Sequence, residues 1–318
     1  MNDQRKRTER ILAGVDIGTL TCRLLVARLD EQGTLHELRS DRRILRLGQG
    51  VDETRRLAAE AMARVVETLK EWSRVVEMYR PDAVTAVATS AVRDAVNRDE
   101  FLDLAKKEAG FEVELISGEE EARRTMLGIR SGLPSGVTDM LALDIGGGST
   151  EFILDRPGRQ PIVRSIDIGV VRLSERLLHH DPPTVEEVER SGEWIRKEMD
   201  GVVAGMPRPS HLTFVGTAGT ITSLAAMAQQ LPAYEPARIH NYRLTLASVQ
   251  QIEQTLLSRT KAQRIGLPGL EPGREEVIVS GTIILRTVME RLEMQRVLVS
   301  DLGLREGVLI DFAVRMMK

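Results

Sequence analysis

The sequence predicts an α/β protein built from two similar halves, and three observations carry that expectation. The chain has 318 residues, about two domains at roughly 150 residues each. Apolar runs of strand length alternate with stretches of helical spacing, the pattern of mixed sheets with crossover helices. The third observation is an internal echo. GVDIGTLTCRLLVARL (14–29) and LALDIGGGSTEFIL (141–154) align on Asp16 and Asp144, which pairs Gly18 with Gly146, Thr21 with Ser149 and Arg23 with Glu151. Each copy reads as strand, tight small-residue turn, strand. The spacing far exceeds a solenoid period and suits a duplicated domain. No low-complexity linker separates the halves, so two domains packed around a cleft are expected.

The elements follow in order. After the first hairpin, 34–47 alternates as a third strand. Residues 53–79 carry a long helical pattern (Leu57, Ala61, Val65, Leu69, Trp72, Val76) that Pro81 and Asp82 close. AVTAVA (83–88) reads as a buried strand, 98–109 as a helix, Phe111 to Ile116 as a strand, and a helix starts at Gly118. The second half gives strands near 139–145, 150–155 and 161–168, helices near 170–178 and 184–200, a strand at 211–215 and a helix from about 218. Residues 274–293 are expected to be helical, 296–300 a strand and 304–317 a closing helix.

Composition narrows the function. Hydrophobic residues at 42% and charged residues at 29% fit a folded globular chain rather than a disordered or fibrous one. With only 3% aromatics, the core must be aliphatic. A net charge of -3 provides no global cationic field for a nucleic-acid backbone, so DNA is not an expected partner. One cysteine, Cys22, excludes an intrachain disulfide and a thiolate metal cluster and fits a cytoplasmic setting. The polar, basic segment Met1 to Arg10 leads into no apolar signal core. No apolar run reaches the roughly 18 residues of a bilayer span, so no membrane association is expected.

Asp144-Ile145-Gly146-Gly147-Gly148-Ser149-Thr150-Glu151 is the sharpest local signal. Three glycines let backbone N–H groups approach an oxyanion. Ser149 and Thr150 add hydroxyls, and Asp144 and Glu151 are carboxylates able to hold a hard cation and orient a water. A plain glycine-rich hairpin turn is the alternative. Gly216-Thr217-Ala218-Gly219-Thr220 follows a strand and opens a helix, a ready anion site, with simple capping by Thr217 or Thr220 as its alternative. It is the third glycine–threonine turn in the chain, which favours phosphate. In Ser117-Gly118-Glu119-Glu120-Glu121, Ser117 and Glu120 have capping-box spacing. Glu119 has the helix dipole, and Glu121 is left without a structural task. Adjacent carboxylates raise one another's pKa, which suits a general base. Arg93, on the turn after AVTAVA, offers a planar fork for phosphate or an ion pair with Asp94 or Asp99. Asn97 and Glu100 have cap spacing. His36, His179, His180, His211 and His240 show no metal-ligand spacing, and no Walker loop, nucleophile elbow or Cys–His pairing occurs.

Taken in order, DIGT…R (16–23), ATSAVRDAVN (88–97), ISGEEEA (116–122), DIGGGSTE (144–151), GVVRLSERL (169–177), GTAGT (216–220) and SDLGLREG (300–307) resemble the exopolyphosphatase and guanosine-pentaphosphate phosphatase (Ppx/GppA) family over nearly the whole chain. The resemblance implies an α/β fold of two ribonuclease-H-like domains of the actin, sugar-kinase and heat-shock ATPase kind, facing a cleft. The domains are expected at 1–122 plus 299–318 and at 123–298. It also implies Mg²⁺-dependent (or Mn²⁺-dependent) hydrolysis of the terminal phosphate of inorganic polyphosphate or of pppGpp, with a homodimer allowed.

By position, Glu121 is the implied base, Asp144, Glu151 and Asp16 the implied metal and water ligands, and Arg93 a phosphate ligand. Gly18, Thr19, Gly146, Gly147, Gly148, Ser149, Gly216 and Thr217 complete the expected phosphate contacts. Glu121, Glu151 and Arg93 form the expected catalytic set. A nucleotide- or polyphosphate-binding regulator with weak turnover is the rival of another class. A kinase is disfavoured by the E-E-A motif. Two departures stand out. The family's first loop commonly reads D-x-G-S-N-S, where this chain has Leu20. Longer members add an HD-like helical region, and contacts that depend on it are expected to be missing.

Overall fold

The apolar runs around Asp16 form a meander in the computed structural model, which describes residues 9–205 and 212–316. Strands β1 (Arg10–Ile17), β2 (Thr21–Leu29) and β3 (Leu35–Ile44) pair antiparallel. Helices α1 (Val51–Thr54) and α2 (Ala59–Tyr79) lead to β4 (Ala83–Ala88), parallel to β1. Then α3 (Ser90–Asp94) and α4 (Arg98–Ala109) lead to β5 (Val113–Leu115), parallel to β4. The strand order is β3-β2-β1-β4-β5. Both faces of β1 are buried. Trp72, Leu69, Val65 and Phe101 pack on one cluster with Val15 and Leu24, while Leu309 and Ala313 of the closing helix (Leu304–Met316) pack with Leu12 and Leu25. Burial on both faces is why β1 reads as a continuous apolar run rather than an alternating one.

The second half repeats the plan. After α5 (Gly118–Gly132) come the antiparallel strands β6 (Met140–Ile145), β7 (Thr150–Asp155) and β8 (Ile162–Ile166). Next are α6 (Val170–Leu177), α7 (Val185–Val203), β9 (Thr213–Thr217), α8 (Ala218–Ala228), α9 (Pro236–Ile239), β10 (Arg243–Thr245), α10 (Leu246–Leu257), α11 (Lys261–Arg264), α12 (Ile278–Arg291) and β11 (Arg296–Val299). The order β10-β11-β9-β6-β7-β8 is that of the first sheet with one antiparallel edge strand added. Both are the ribonuclease-H-like arrangement. The chain divides into two compact units: residues up to Ser117 with those from Leu304 onward, and Gly118–Gly303.

Several expected elements differ for physical reasons. The helix expected over 53–79 is two helices, broken at Arg55, whose φ of 55° is left-handed. Asn97 holds the break: its Oδ1 accepts from Leu57 N (2.8 Å) and its Nδ2 donates to Leu57 O (3.1 Å). Asn97 therefore clamps a distant loop and makes no side-chain cap on α4. The third strand ends at Ile44 because the Leu45 and Arg46 amides turn to the Leu20 carbonyl (2.9 Å each). The strand expected from His211 begins at Thr213, with His211 itself outside the described residues, and it runs on through Gly216 and Thr217. Those two residues are strand, not turn. The end of the closing helix at 317 and the segment Met1 to Thr8 also lie outside the described residues.

Candidate active site

In the second unit, strand register brings the acids together. Across one row of the sheet, Ser165 of β8 pairs with Glu151 of β7, Glu151 with Asp144 of β6, and Asp144 with Thr217 of β9. Successive residues point to opposite faces of a sheet, and in-register partners share one. The row therefore places two carboxylates side by side, flanked by hydroxyls. Glu151 is 1% exposed and Asp144 9%. Buried carboxylates demand hydrogen bonds. Ser165 Oγ donates to Glu151 Oε1 (2.9 Å), and Thr125 Oγ1 donates to Asp144 Oδ2 (3.3 Å).

Thr125 lies on α5 four residues after Glu121, on the same helix face. Its bond to Asp144 ties the Glu121 face of α5 to the acidic row. Glu121 is buried, in keeping with a side chain that is not part of a solvated charge run. Its neighbour Glu120 turns away, accepting from Arg123 Nε and Nη2 (2.8 Å each) and from Arg124 Nε (2.7 Å). These guanidiniums, Arg123 first, outweigh desolvation and hold its carboxyl at about 2. The expectation that the three glutamates raise one another's pKa is thus corrected for Glu120, because arginine partners dominate.

The Gly146–Ser149 turn is closed by Gly146 N donating to Ser149 O (3.0 Å). Helix α6 packs directly behind it. Val170 N donates to Gly146 O (3.0 Å), Val171 N to Gly147 O (2.8 Å), and Arg172 Nε to Gly148 O (2.9 Å). Gly169 touches the turn so closely that a Cβ there would sit 2.3 Å from the Gly147 carbonyl and 2.4 Å from Gly148 N. Thr150 is taken by structure, its Oγ1 donating to Ile168 O (2.6 Å).

At the third turn, Thr217 occupies the N-cap position of α8 without capping it, and its Oγ1 donates instead to Leu302 O (3.0 Å). Capping by Thr217 is therefore not the explanation of this motif. Ala218 has a left-handed φ of 71°. The guanidinium of Arg274 lies against Gly219, 2.0–2.5 Å from where a Cβ would be, and its Nε donates to Glu271 Oε2 (2.6 Å). Sequence reasoning missed this buried arginine beside a helix N-terminus, since no local motif joins it to the glycine it covers.

In the first unit, the corresponding row reads Arg42, Arg23, Asp16 and Val87 on β3, β2, β1 and β4. Asp16 and Thr19 are buried, and Thr19 Oγ1 accepts from Ala91 N at the start of α3 (3.2 Å). Gly18 N donates to Thr21 O (3.0 Å), and Thr19 O accepts from Gly48 N (2.8 Å). Leu20, the departure from the family loop, is buried in the core. Arg93 sits within α3, its Nη1 donating to Ile116 O (2.8 Å), which braces the ends of β4 and β5. Arg23 was visible in the echo opposite Glu151. Only the register shows that it and Arg42 share the row of Asp16.

Other chemistry is disfavoured. Cys22 is fully buried, and burial pushes its thiol pKa up. His179 and His180 are exposed, and His180 is spent on Glu187 (2.8 Å). A cavity of about 320 Å³ beyond the C-terminal end of α6 is lined by Glu175, His179, Asp181, Lys261, Arg264 and Glu276 among others. Its charges are largely paired internally, Lys261 with Glu276 (2.8 Å) and Asp181 with the Lys261 amide (2.8 Å). Among the described residues, no group of three or more His, Cys, Asp or Glu could hold a metal unaided, and no helix is long and apolar enough to cross a membrane.

Comparisons with known proteins agree with this geometry. The chain is 37% identical over 316 residues to Exopolyphosphatase 2 of Mycobacterium tuberculosis, covering 95% of this chain and 98% of that one. The crystal structure of the Aquifex aeolicus Ppx/GppA family member matches with a TM-score of 0.82 and 34% identity, covering 98% of this chain and 99% of that one. An exopolyphosphatase-like protein of known structure matches with a TM-score of 0.93 and 30% identity over 98% of this chain and 100% of its own. The Ppx/GppA phosphatase family pattern spans residues 25–316. With both ribonuclease-H-like sheets and the acidic row in place, the chain belongs to the Ppx/GppA phosphatase family.

Proposed function

We propose that the protein is an exopolyphosphatase that hydrolyses the terminal phosphoanhydride of inorganic polyphosphate. The observation that carries this is the pairing of Asp144 with Glu151 beside a glycine turn, with the Glu121 helix hydrogen-bonded to Asp144. The similarity to Exopolyphosphatase 2 supports polyphosphate as the substrate.

The donor set fits a hard divalent cation. Magnesium uses one or two carboxylates and completes its shell with waters and substrate oxygens, which agrees with two paired carboxylates and, among the described residues, no larger protein cage. Asp144 and Glu151 would hold Mg²⁺, which supplies charge neutralisation at the phosphate oxygens. Asp16 is the equivalent strand-end carboxylate of the first unit. The amides of Gly147, Gly148 and Ser149 would bind phosphate oxygens; in the first unit the Gly18 amide is spent on Thr21 O, which leaves Thr19 as the counterpart, and Gly216 and Thr217 stand at the end of β9. Arg93 contributes to the cationic surroundings of the first-unit turn.

Glu121 accepts the proton of the attacking water. The new bond joins the water oxygen to the terminal phosphorus, the bridging P–O bond breaks, and orthophosphate and a chain shorter by one unit leave. Because the turn is preorganised, positioning and electrostatics supply most of the rate.

The test measures orthophosphate release from polyphosphate and from pppGpp side by side, with Mg²⁺ and with excess chelator. Expected are faster release from polyphosphate, loss of release in chelator, and a fall on the order of 10²–10⁴-fold in Glu121→Gln with folding retained. Binding of polyphosphate without release would establish the regulator instead. A higher kcat/KM on pppGpp would reassign the substrate.

A further inference from the structure

The Gly146–Ser149 turn contains three peptide planes whose orientation a glycine-rich backbone does not fix by itself. In a trans peptide, the carbonyl of one residue and the N–H of the next point in opposite directions. Among the described residues the only cis peptide is Asp181-Pro182, so this rule applies through the turn. The carbonyl oxygens of Gly146, Gly147 and Gly148 are each held by a donor from α6: the Val170 amide, the Val171 amide and the Arg172 Nε. The N–H groups of Gly147, Gly148 and Ser149 must therefore all face away from α6. Three convergent N–H groups form an anion-binding nest.

Two of the three pins are backbone amides, which no side-chain substitution withdraws. The third is a side chain. Arg172 is 6% exposed, and its Nε lies 2.9 Å from Gly148 O. We infer that Arg172 is a positioning residue of the phosphate turn: by holding the Gly148 carbonyl it fixes the Gly148–Ser149 peptide so that the Ser149 N–H joins those of Gly147 and Gly148. The inference rests on reading this turn as a phosphate cradle, and it adds a role for the GVVRL segment distinct from contact with substrate. Arg172 acts through the peptide and not on the phosphate.

The test follows the ¹⁵N–¹H resonances of Gly147, Gly148 and Ser149 as inorganic orthophosphate is added, alongside phosphate-release kinetics. In the wild type, all three amides shift saturably. In Arg172→Met, Ser149 loses its response while Gly147 and Gly148 keep theirs, and kcat/KM falls by about 10²-fold, the order expected for one lost oxyanion donor. Arg172→Gln, which retains an N–H donor, recovers more activity than Arg172→Lys, which retains the charge.

Greater rescue by lysine, or an undiminished Ser149 response in Arg172→Met, overturns the inference in favour of direct charge contact. If Arg172→Met does not fold, the glutamine–lysine contrast decides alone. A wild type in which none of the three amides responds to phosphate refutes the cradle itself, a failure distinct from that of the pin.

Discussion

The two sheets share one topology and fill the same row with opposite charge. In the second unit the row across β7 and β6 holds Glu151 and Asp144. In the first, the row across β3, β2 and β1 holds Arg42, Arg23 and Asp16. Arg23 and Arg42 face each other as a like-charge cross-strand pair, an arrangement that is unfavourable unless anions surround it. Asp16 in register beside Arg23 is one such anion, and a phosphate chain is another. The turns differ in the same way. In the first unit, the carbonyls of Thr19 and Leu20 are held by amides of the segment 45–48. In the second, an entire helix face and one arginine hold three carbonyls. The two units share a strand–turn–strand plan, and the residues at one row make one half basic and the other acidic. The acidic row suits metal and water, and the basic row suits substrate oxygens.

The sharpest way to break this division is to neutralise one member of each row. Glu151→Gln is expected to lower kcat by about 10²–10³-fold with a smaller change in KM, because an interaction made mainly in the transition state is lost. If KM rises while kcat holds, the acidic row binds substrate and does not serve the chemistry.

Next in size is the contact between backbone and backbone. In Gly169→Ala the new methyl meets the Gly147–Gly148 peptide at 2.3–2.4 Å, where only backbone can yield. Overpacking of this kind costs about 1–3 kcal/mol, and the displaced turn is expected to lower kcat/KM by about 10–100-fold. In the first unit, a Cβ at Gly48 meets Thr19 Cγ2 at 2.3 Å and Ala91 Cβ at 2.9 Å. Those are side-chain methyls, so Gly48→Ala should cost less activity. Melting curves with paired kinetics check the order, and a larger loss at Gly48 would reverse the ranking of the two turns.

Arg23→Gln should act on binding. A hydrogen bond to a charged group is worth about 1.5–3 kcal/mol, so KM for polyphosphate should rise about tenfold or more while kcat changes little. The difference between wild type and variant should shrink as salt is raised, since exposed charges are screened over about 10 Å at 0.1 M. A KM ratio independent of salt would remove Arg23 from the electrostatic attraction of substrate.

Much of this was legible in the sequence because it resides in local patterns. The echo around Asp16 and Asp144 gave both hairpins. Aliphatic periodicity gave α2, α4 and α7, and the small-residue turns marked all three glycine segments. What was not legible depends on register or on distant contacts. Nothing local says that Thr217 lies in a strand beside Asp144, because parallel pairing of β6 with β9 is set by the packing of everything between. Arg274 touches Gly219 and Asn97 clamps Leu57 across long sequence separations. Glu120 had capping-box spacing, but spacing alone does not show that its carboxylate accepts from the arginines three and four residues on. Within 229–273, α9, α11 and β10 are too brief to show a period, whereas α10, as long as α4, was missed although Val249, Ile252 and Leu256 recur on its buried face.

The smallest expected effect separates the supports of the two turns by their response to acid. At the first-unit turn the Thr19 hydroxyl accepts from the Ala91 amide and the Thr19 and Leu20 carbonyls accept from backbone amides, none of which titrates. In the second unit, α5 carries Glu120 bound to Arg123 and Arg124, with its pKa lowered to about 2, chiefly by the hydrogen bond from Arg123. The ordinary glutamate value is about 4.3. A depressed folded-state pKa means the stabilisation is complete above the unfolded value and is lost as pH falls through the folded one. The contribution is therefore present at pH 7, begins to fade below about pH 5 and is lost as pH falls through about 2. Glu120 is partly exposed, so solvent screening reduces its worth to about 1 kcal/mol, or about 2–4 °C in melting temperature for a unit of this size. Glu120→Gln should be less stable than wild type by that amount at pH 7, and the gap should shrink with falling pH and close below about pH 2. Hydrogen exchange at pH 3 should show α5 amides opening before those of β1 and β4. If the variant and wild type keep the same gap from pH 7 down to pH 2, the arginine pair is not a charge lock on α5, and the second unit is no more acid-sensitive at its turn than the first.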